Sequence, residues 1–465
     1  MAETKFTRRD FLRLAGTAAA GVTVGTIAGG CKPQTVTVEK EVKVPEIVEQ
    51  TVVVEKVVEV PAEPPEPVTI SYWQYLTSME ELEGARIAEF EEAYPNIKVD
   101  YVMMPGEAYD PKCITAFAAG TPPDVWNTAP CFYHEFIARD QLLDITDRID
   151  ELNLDDIYPA VLDQWYYKDR IYGLPLNVVV TILYYNKDLF DQAGVEYPTE
   201  DWGWEDYRNA ALKIQALNTG DRTEIWGCDW GSVRKSGGWL AWNAYVKGMG
   251  ADIIDPVNVD RCVALESPIP LEFLKWHVDL VMKDKVAAPI GSFEGQPDPF
   301  MSGNIGMIFE LPWGVQQYRD ANFDWDIALV PKGVVERRTY GGPDGITGTT
   351  ASKHPDESWQ LMKWLTDPVY LKAWAKESGT VCPYRSVAWS EEILSAEPDR
   401  NMEVVPKSVE VAFATWGPGL QEYMGAFFDE MDAAFLGEKS PEETLESACN
   451  RVNEILETTF DELGL

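Results

Sequence analysis

Histidine, cysteine and positive charge are all scarce in this chain of 465 residues. The three histidines, at 134, 277 and 354, are far apart and lack HExxH-type spacing, which argues against a zinc site or a histidine-based triad. No metal or other cofactor is expected. Lys and Arg number 39 against 77 Asp and Glu, giving a formal net charge of -38. Such a surface repels phosphate backbones and anionic lipid, so nucleic acid is not an expected partner. The cysteines form no CxxC pair. Beyond Cys31 they are Cys113, Cys131, Cys228, Cys262, Cys382 and Cys449, an even set whose spacing leaves disulfides and free buried thiols both open. After Cys31 no apolar run is long enough to span a bilayer.

Aromatic residues, by contrast, are plentiful: 17 Trp, 20 Tyr and 17 Phe. That supply exceeds what core packing obviously requires, so some rings are expected to face a ligand. The stretch "TRRDFLRLAGTAAAGVTVGTIAGGCKP" has a basic start, an apolar middle and small residues before Cys31, the layout of an export signal. Its Arg8 and Arg9 resemble the pair in a twin-arginine signal, and residues 28–31 resemble a lipobox in which Cys31 would be acylated. The lipobox match departs at Ala28, where Leu, Val or Ile is the rule. Residues 35–50, "TVTVEKEVKVPEIVEQ", are echoed at an offset of 16 by "TVVVEKVVEVPAEPPE". A Val/Glu/Lys repeat broken by prolines has nothing with which to build a core, and residues 32–67 read as an extended tether. The expected division is therefore a signal over 1–31, a tether over 32–67 and a working domain over 68–465. That places the domain outside the cytoplasm, either lipid-anchored at the outer face of the cytoplasmic membrane or in the periplasm, and the lipid anchor is its only expected membrane contact.

Within 68–465, "VTISYW" reads as a strand, "SMEELEGARIAEFEEAYP" as a helix ending at Pro95, and "NIKVDYVMM" as the next strand. Strand, helix, strand at this spacing predicts a right-handed βαβ unit. A helix beginning at "KCITAFA", a third strand at 124–126, and later helices at "WEDYRNAALKIQAL", "PLEFLKWHVDLVMK", "DESWQLMKWLTDPVYLKAWAKES" and "SPEETLESACNRVNEILETTFDEL" continue the alternation. The fold class is α/β.

The ordered phrases "FEEAYPNIKVDY", "AAGTPPDVW", "LLDITDRI", "RIYGLPLNVVVTILYYNKDLF", "FMSGNIGMIFELPWGV", "WDIALVPKG" and "ASKHPDESWQLMKWLTD" resemble the family 1 extracellular solute-binding proteins of ABC importers, the maltose-binding-protein group. They run through nearly all of 68–465. The resemblance implies a two-lobed periplasmic-binding-protein-like fold, each lobe a mostly parallel sheet flanked by helices, with the ligand in the cleft between them. By that analogy lobe I covers about 68–178 and 345–386 and lobe II about 179–340 and 387–465. The chain would cross near 175–181, 340–345 and 384–389.

Ligands of open parallel sheets bind beyond the carboxyl ends of strands. A short apolar run, 305–309, stops there in Glu310-Leu311-Pro312-Trp313. The Trp313 ring can stack on the C–H face of a sugar and Glu310 can accept from hydroxyls; alternatively Trp313 packs in a lobe and Glu310 caps a helix. Gln74 and Tyr75 follow the first strand, Trp126 and Asn127 end the third, and Asn177 lies at the first crossing. Trp239, Trp242 and Asn243 are neighbours in "SGGWLAWNAY", where core packing competes for one of the tryptophans. Gly342 and Asp344 lie in "YGGPDGITG", read either as backbone approaching a ligand or as a plain hinge loop. Arg385 can fork onto sugar oxygens or a carboxylate, or form a structural ion pair.

Capture of a sugar or small oligosaccharide by a monomeric binding protein, for delivery to ABC permease subunits, is the leading expectation, with no catalytic residue. An exported glycoside hydrolase or lyase is the rival, needing two carboxylates about 5 to 10 Å apart. The same fold holding a non-sugar solute is the third possibility.

Overall fold

The computed structural model describes residues 67–219, 225–229, 238–289, 292, 298–414 and 417–465, without the side chains of 130–132 and 238–240. Arg8, Arg9, Cys31 and the tether lie outside the described residues. In chain order the strands of the first half are β1 (Val68–Gln74), β2 (Ile97–Met103), β3 (Val125–Thr128), β4 (Tyr166–Tyr167), β5 (Arg170–Ile171) and β6 (Gly173–Pro175). They continue as β7 (Val179–Val180), β8 (Ile182–Asn186), β9 (Met307–Glu310), β10 (Trp325–Ala328), β11 (Thr339–Gly342), β12 (Gly345–Gly348) and β13 (Ala412–Phe413).

The expected βαβ unit is present. β1 and β2 run parallel, with Val68 opposite Ile97 and Gln74 opposite Met103, joined through the helix Glu80–Ala93. Acidic residues Glu80, Glu81 and Glu83 occupy that helix's first turn, where the positive end of the macrodipole favours them. β3 adds in parallel on the other side of β1, and the sheet runs β2-β1-β3-β12-β6. The helix expected at "KCITAFA" begins earlier than the sequence suggests, spanning Gly106–Ala118 with Pro111 inside it.

Parallel pairing is not maintained throughout. β12 is antiparallel to both β3 and β6, and β8 is antiparallel to both β9 and β10. β8 and β12 both enter their sheets from an inter-sheet crossing, so they run against the resident strands, and the expectation of mostly parallel sheets fails there. The remaining sheets among the described residues are β13-β11-β7 and the two-stranded β4-β5.

Two main cores result. One gathers Ile70, Phe90, Trp126 and Trp165 with Ile346, Trp359 and Trp374. The other gathers Leu183, Trp204, Trp242, Phe273 and Phe309 with Phe427, Leu445 and Val452. Along β8 the side chains alternate as the pleat demands. Leu183 and Tyr185 enter the second core, while Ile182 and Tyr184 face a third layer that includes Val178, Ile308, Trp325 and Val409.

The chain leaves the five-stranded sheet at Pro175 and joins β11 at Val179; it returns from Gly342 to Gly345. The two crossings lie side by side. Leu176 and Asn177 N–H both donate to Asp344 O, at 2.8 and 3.3 Å. A third segment joins them, with Val178 and Val381 exchanging N–H to O bonds at 2.8 and 2.9 Å. Cys262 and Cys449 form a disulfide, and Cys113, Cys228 and Cys382 are buried thiols. No helix among the described residues is long and apolar enough to cross a membrane.

Candidate functional site

Three of the expected residues meet where the five-stranded sheet hands over to the crossings. Tyr75, just past β1, donates its hydroxyl to Asp344 Oδ1 at 2.6 Å, and Asn177 Nδ2 donates to Asp344 Oδ2 at 3.1 Å. Asp344 N–H returns a bond to Asn177 Oδ1 at 3.2 Å. Burial pushes the Asp344 carboxyl above the usual carboxylate range, and the bonds from Tyr75 and Asn177 pull it back in part.

Gln74 and Asn127 lie beneath that surface, both fully buried. Gln74 Oε1 accepts from the N–H groups of Tyr75 and Leu76 at 2.8 and 3.1 Å, so it supports the turn from below. Neither amide atom of Asn127 has a hydrogen-bond partner among the described residues. Tyr109, in the first turn of Gly106–Ala118 ahead of where the sequence marks that helix, places its hydroxyl 2.5 Å from Asn127 O and 3.2 Å from Trp73 O, tying the ends of β3 and β1 together. No sequence signal distinguishes it from any other helical tyrosine.

Trp313 lies beyond β9, on a turn set by Pro312 and continued by the short helix Gly314–Gln317. It is 37% exposed, the only tryptophan among the described side chains on the exposed surface. Its backbone rests against the left-handed Gly379 (φ 69°), where an added Cβ would sit 3.0 Å from Trp313 Cα. Two residues on, Val381 pairs with Val178, next to Asn177. A short stretch of chain therefore links the exposed indole to the Tyr75, Asn177 and Asp344 cluster. Glu310 is half-buried and its Oε1 accepts from the N–H of its neighbour Leu311 at 2.7 Å; it does not cap the following helix Gly314–Gln317, whose N-cap position is Trp313.

Other expected residues go elsewhere. Trp126 packs in the first core against Phe117 and Phe136, with ring centroids 4.9 and 5.5 Å away, and Trp242 packs in the second core against Phe273 and Phe427. Both rings are buried in the cores, which corrects the expectation that they stack on a ligand. Asn243 is buried on the same helix, Gly238–Met249, and the side chain of Trp239 lies outside the described residues. Arg385 spends its fork on Glu410 at 3.0 and 2.7 Å and lies over the Tyr158 ring, the ion-pair alternative. Gly342 makes room for protein rather than ligand: a Cβ there would lie 2.2 Å from Tyr340 Oη.

A cavity of about 400 Å³ lies apart from this cluster, between Glu135 and Arg139 on one side and Glu422, Glu454 and Glu462 on the other. Its carboxylates and lack of any ring make it a poor seat for a sugar. Among the described residues no group of His, Cys, Asp and Glu is arranged to hold a metal ion.

Two cores joined by paired crossings, with a cluster of polar groups at the crossings, define a two-lobed binding protein. The chain belongs to the bacterial extracellular solute-binding protein family, whose profile matches residues 74–372. It is 23% identical over 382 residues to a binding protein of Brucella abortus, covering 79% of this chain and 88% of that one. It is 23% identical over 322 residues to the maltotriose-binding protein of Pyrococcus abyssi, covering 65% of each. The fold matches that of an ABC substrate-binding protein of Listeria monocytogenes solved with cycloalternan, with a TM-score of 0.72 and 23% identity over 84% of this chain and all of the other. These relatives are binding proteins, and membership of the family implies work outside the cytoplasm.

Proposed function

We propose that this protein captures a neutral sugar or small oligosaccharide between its lobes and delivers it to an ABC-type permease, with no chemical step of its own. Trp313 carries the reading. An indole left exposed, where the other tryptophans among the described side chains are buried or half-buried, suits stacking on a sugar ring. Tyr75, Asn177 and Asp344 supply hydroxyl, amide and carboxylate groups for sugar hydroxyls, and the unpaired amide of Asn127 lies behind them. The relatives named for maltotriose and solved with cycloalternan point to the same class of ligand.

In this reading lobe I comprises about 68–178 with 345–386 and lobe II comprises 179–340 with 387–465. The ligand favours the closed state by touching both. Arg8 and Arg9 direct twin-arginine export, Cys31 carries the lipid anchor, and the working form is a monomer.

The test is calorimetric titration of the full mature chain with maltose, maltotriose and cyclic glucans, for wild type and Trp313→Ala. Loss of the ring should weaken binding about tenfold or more. Stability should fall by only about 1–2 kcal/mol, because much of the ring is already in water. Affinity unchanged by the substitution would remove Trp313 from the site. Binding of a polyamine or peptide but no carbohydrate would overturn the ligand class, and steady turnover of an oligosaccharide would overturn the binder.

A further inference from the structure

The helix Glu80–Ala93 turns Glu83, Ile87 and Phe90 inward, and the first of these is a carboxylate in an apolar slot. Glu83 is fully buried, and no ion pair reaches it among the described residues. Three donors converge on it instead. Tyr72 Oη and Gln74 Nε2 reach Oε1 at 2.8 and 3.3 Å, and Tyr101 Oη reaches Oε2 at 2.8 Å.

We propose that Glu83, which touches no cleft surface, is a positioning residue for the ligand site, fixing the sense of the Gln74 amide and through it the Tyr75 phenol that holds Asp344. The inference rests on the capture reading for what the site binds. Gln74 Nε2 faces Glu83 Oε1 and lies 3.1 Å from Tyr72 Oη, which leaves Oε1 for the N–H groups of Tyr75 and Leu76. Turned over, the amide would set oxygen against carboxylate and NH₂ against two N–H donors, unfavourable at both ends. The turn so fixed places Tyr75 Oη 2.6 Å from Asp344 Oδ1, and the other oxygen of Asp344 takes Asn177. A buried carboxylate thus sets the geometry of both crossings through a short chain of bonds.

The device responds to pH. Burial raises the Glu83 carboxyl to about 7, against the opposing pull of its three donors. The titratable groups facing it are Tyr72 and Tyr101 on the strands and Tyr109 and Tyr370 on the packed helices; on its own helix Glu80 is exposed and Arg86 is turned to Trp364 and Tyr370. Burial pushes all four phenols upward, so they stay neutral while Glu83 titrates. The Arg86 guanidinium is stacked 4.0 Å over Trp364 and 5.3 Å from the Tyr370 ring centre. Protonated, Glu83 turns one acceptor site into a donor; a tyrosine hydroxyl can rotate to accept from it, but the Gln74 NH₂, a donor only and already the longest contact at 3.3 Å, is the partner that loses hold.

The experiment compares the full mature wild-type chain, Glu83→Gln and the swapped pair Gln74→Glu/Glu83→Gln, at about pH 5.5 and about pH 8. It reads amide hydrogen exchange at Tyr75 and Leu76 in the ligand-free protein, corrected for intrinsic rates, alongside affinity for the carbohydrate that binds. On acidification wild type should lose protection at both amides and about tenfold in affinity. Glu83→Gln should be weak and flat across pH. The swapped pair should regain the alkaline affinity, because the carboxylate introduced by Gln74→Glu accepts from the two N–H groups in place of the Gln74 amide oxygen and the transferred amide faces it. Wild-type exchange and affinity in Glu83→Gln, or a pH response that survives in it, overturns the proposal. If that variant does not fold, the wild-type amides decide alone, and protection independent of pH overturns it. If no carbohydrate binds wild type, the capture reading fails while the amide exchange still judges the role of Glu83.

Discussion

Opening the Cys262–Cys449 bond should cost the fold several kcal/mol, about 5 at most. The bond closes a stretch with a sequence separation of 187, between the loop before the helix Pro268–Met282 and the C-terminal helix Pro441–Leu463. For a loop of that length the chain-entropy relation gives about 5 kcal/mol, a ceiling because unfolded chains retain structure. The Cα atoms are 5.4 Å apart, inside the ordinary range, so the folded chain has little to readjust once the bond is gone. Non-covalent contacts hold the join as well: Cys262 N–H donates to Asn453 Oδ1 at 2.7 Å, and both cysteines lie in the second core. Cys262→Ala/Cys449→Ala should therefore fold, bind ligand as wild type does, and unfold at markedly lower urea. Urea titration followed by tryptophan fluorescence, with a thiol count to prove the state of the cysteines, reads the effect. Because both cysteines serve one core, the loss should appear in the transition of that core. An unchanged midpoint in protein proven to lack the bond would refute the reasoning.

Gly345→Ala should be severe. Its Cβ would fall 2.2 Å from Trp165 Cζ2 and 2.4 Å from Leu174 O, a buried ring and a backbone that cannot yield, costing about 3 kcal/mol or more. Wild-type-like melting in calorimetry would contradict that contact. Arg385→Ala should do little: its exposed pair with Glu410 is worth under about 1 kcal/mol, and ligand affinity should hold. A tenfold weaker titration with unchanged melting would instead return Arg385 to the cleft.

Much of the fold is legible in the sequence because its periods are strong. Val68–Gln74, Glu80–Ala93, Ile97–Met103, Trp204–Gln215, Pro268–Met282 and Pro441–Leu463 all lie where alternation, helical spacing or a capping Ser440 and Glu443 place them. The stretch 356–378 reads as continuous, yet Pro368 divides it into Pro355–Leu365 and Pro368–Ser378, with Asp367 capping the second helix. Strand direction is not legible, since it depends on which side of a crossing a segment arrives from. The site is legible only in outline. Strand ends point to Tyr75, Asn177, Asp344 and Trp313, but ring-and-amide pairs look alike whether they face a cleft or a core, as Trp126 and Trp242 show. Glu83 is hidden most completely, because an acid in a helix of acids reads as solvated until its tyrosine partners, brought by strands β1 and β2, are seen around it.

The crossings at 176–178 and 343–344 are sewn together by Asp344 O, which takes two N–H groups from the neighbouring strand, and by the return bond to Asn177. Two rods stitched side by side resist sliding and splaying but twist and bend together. With the third segment joined at Val381, relative movement of the two lobes should favour one rotational coordinate. A single pair of labels placed across the cleft would then follow the whole of that motion as a change in one distance.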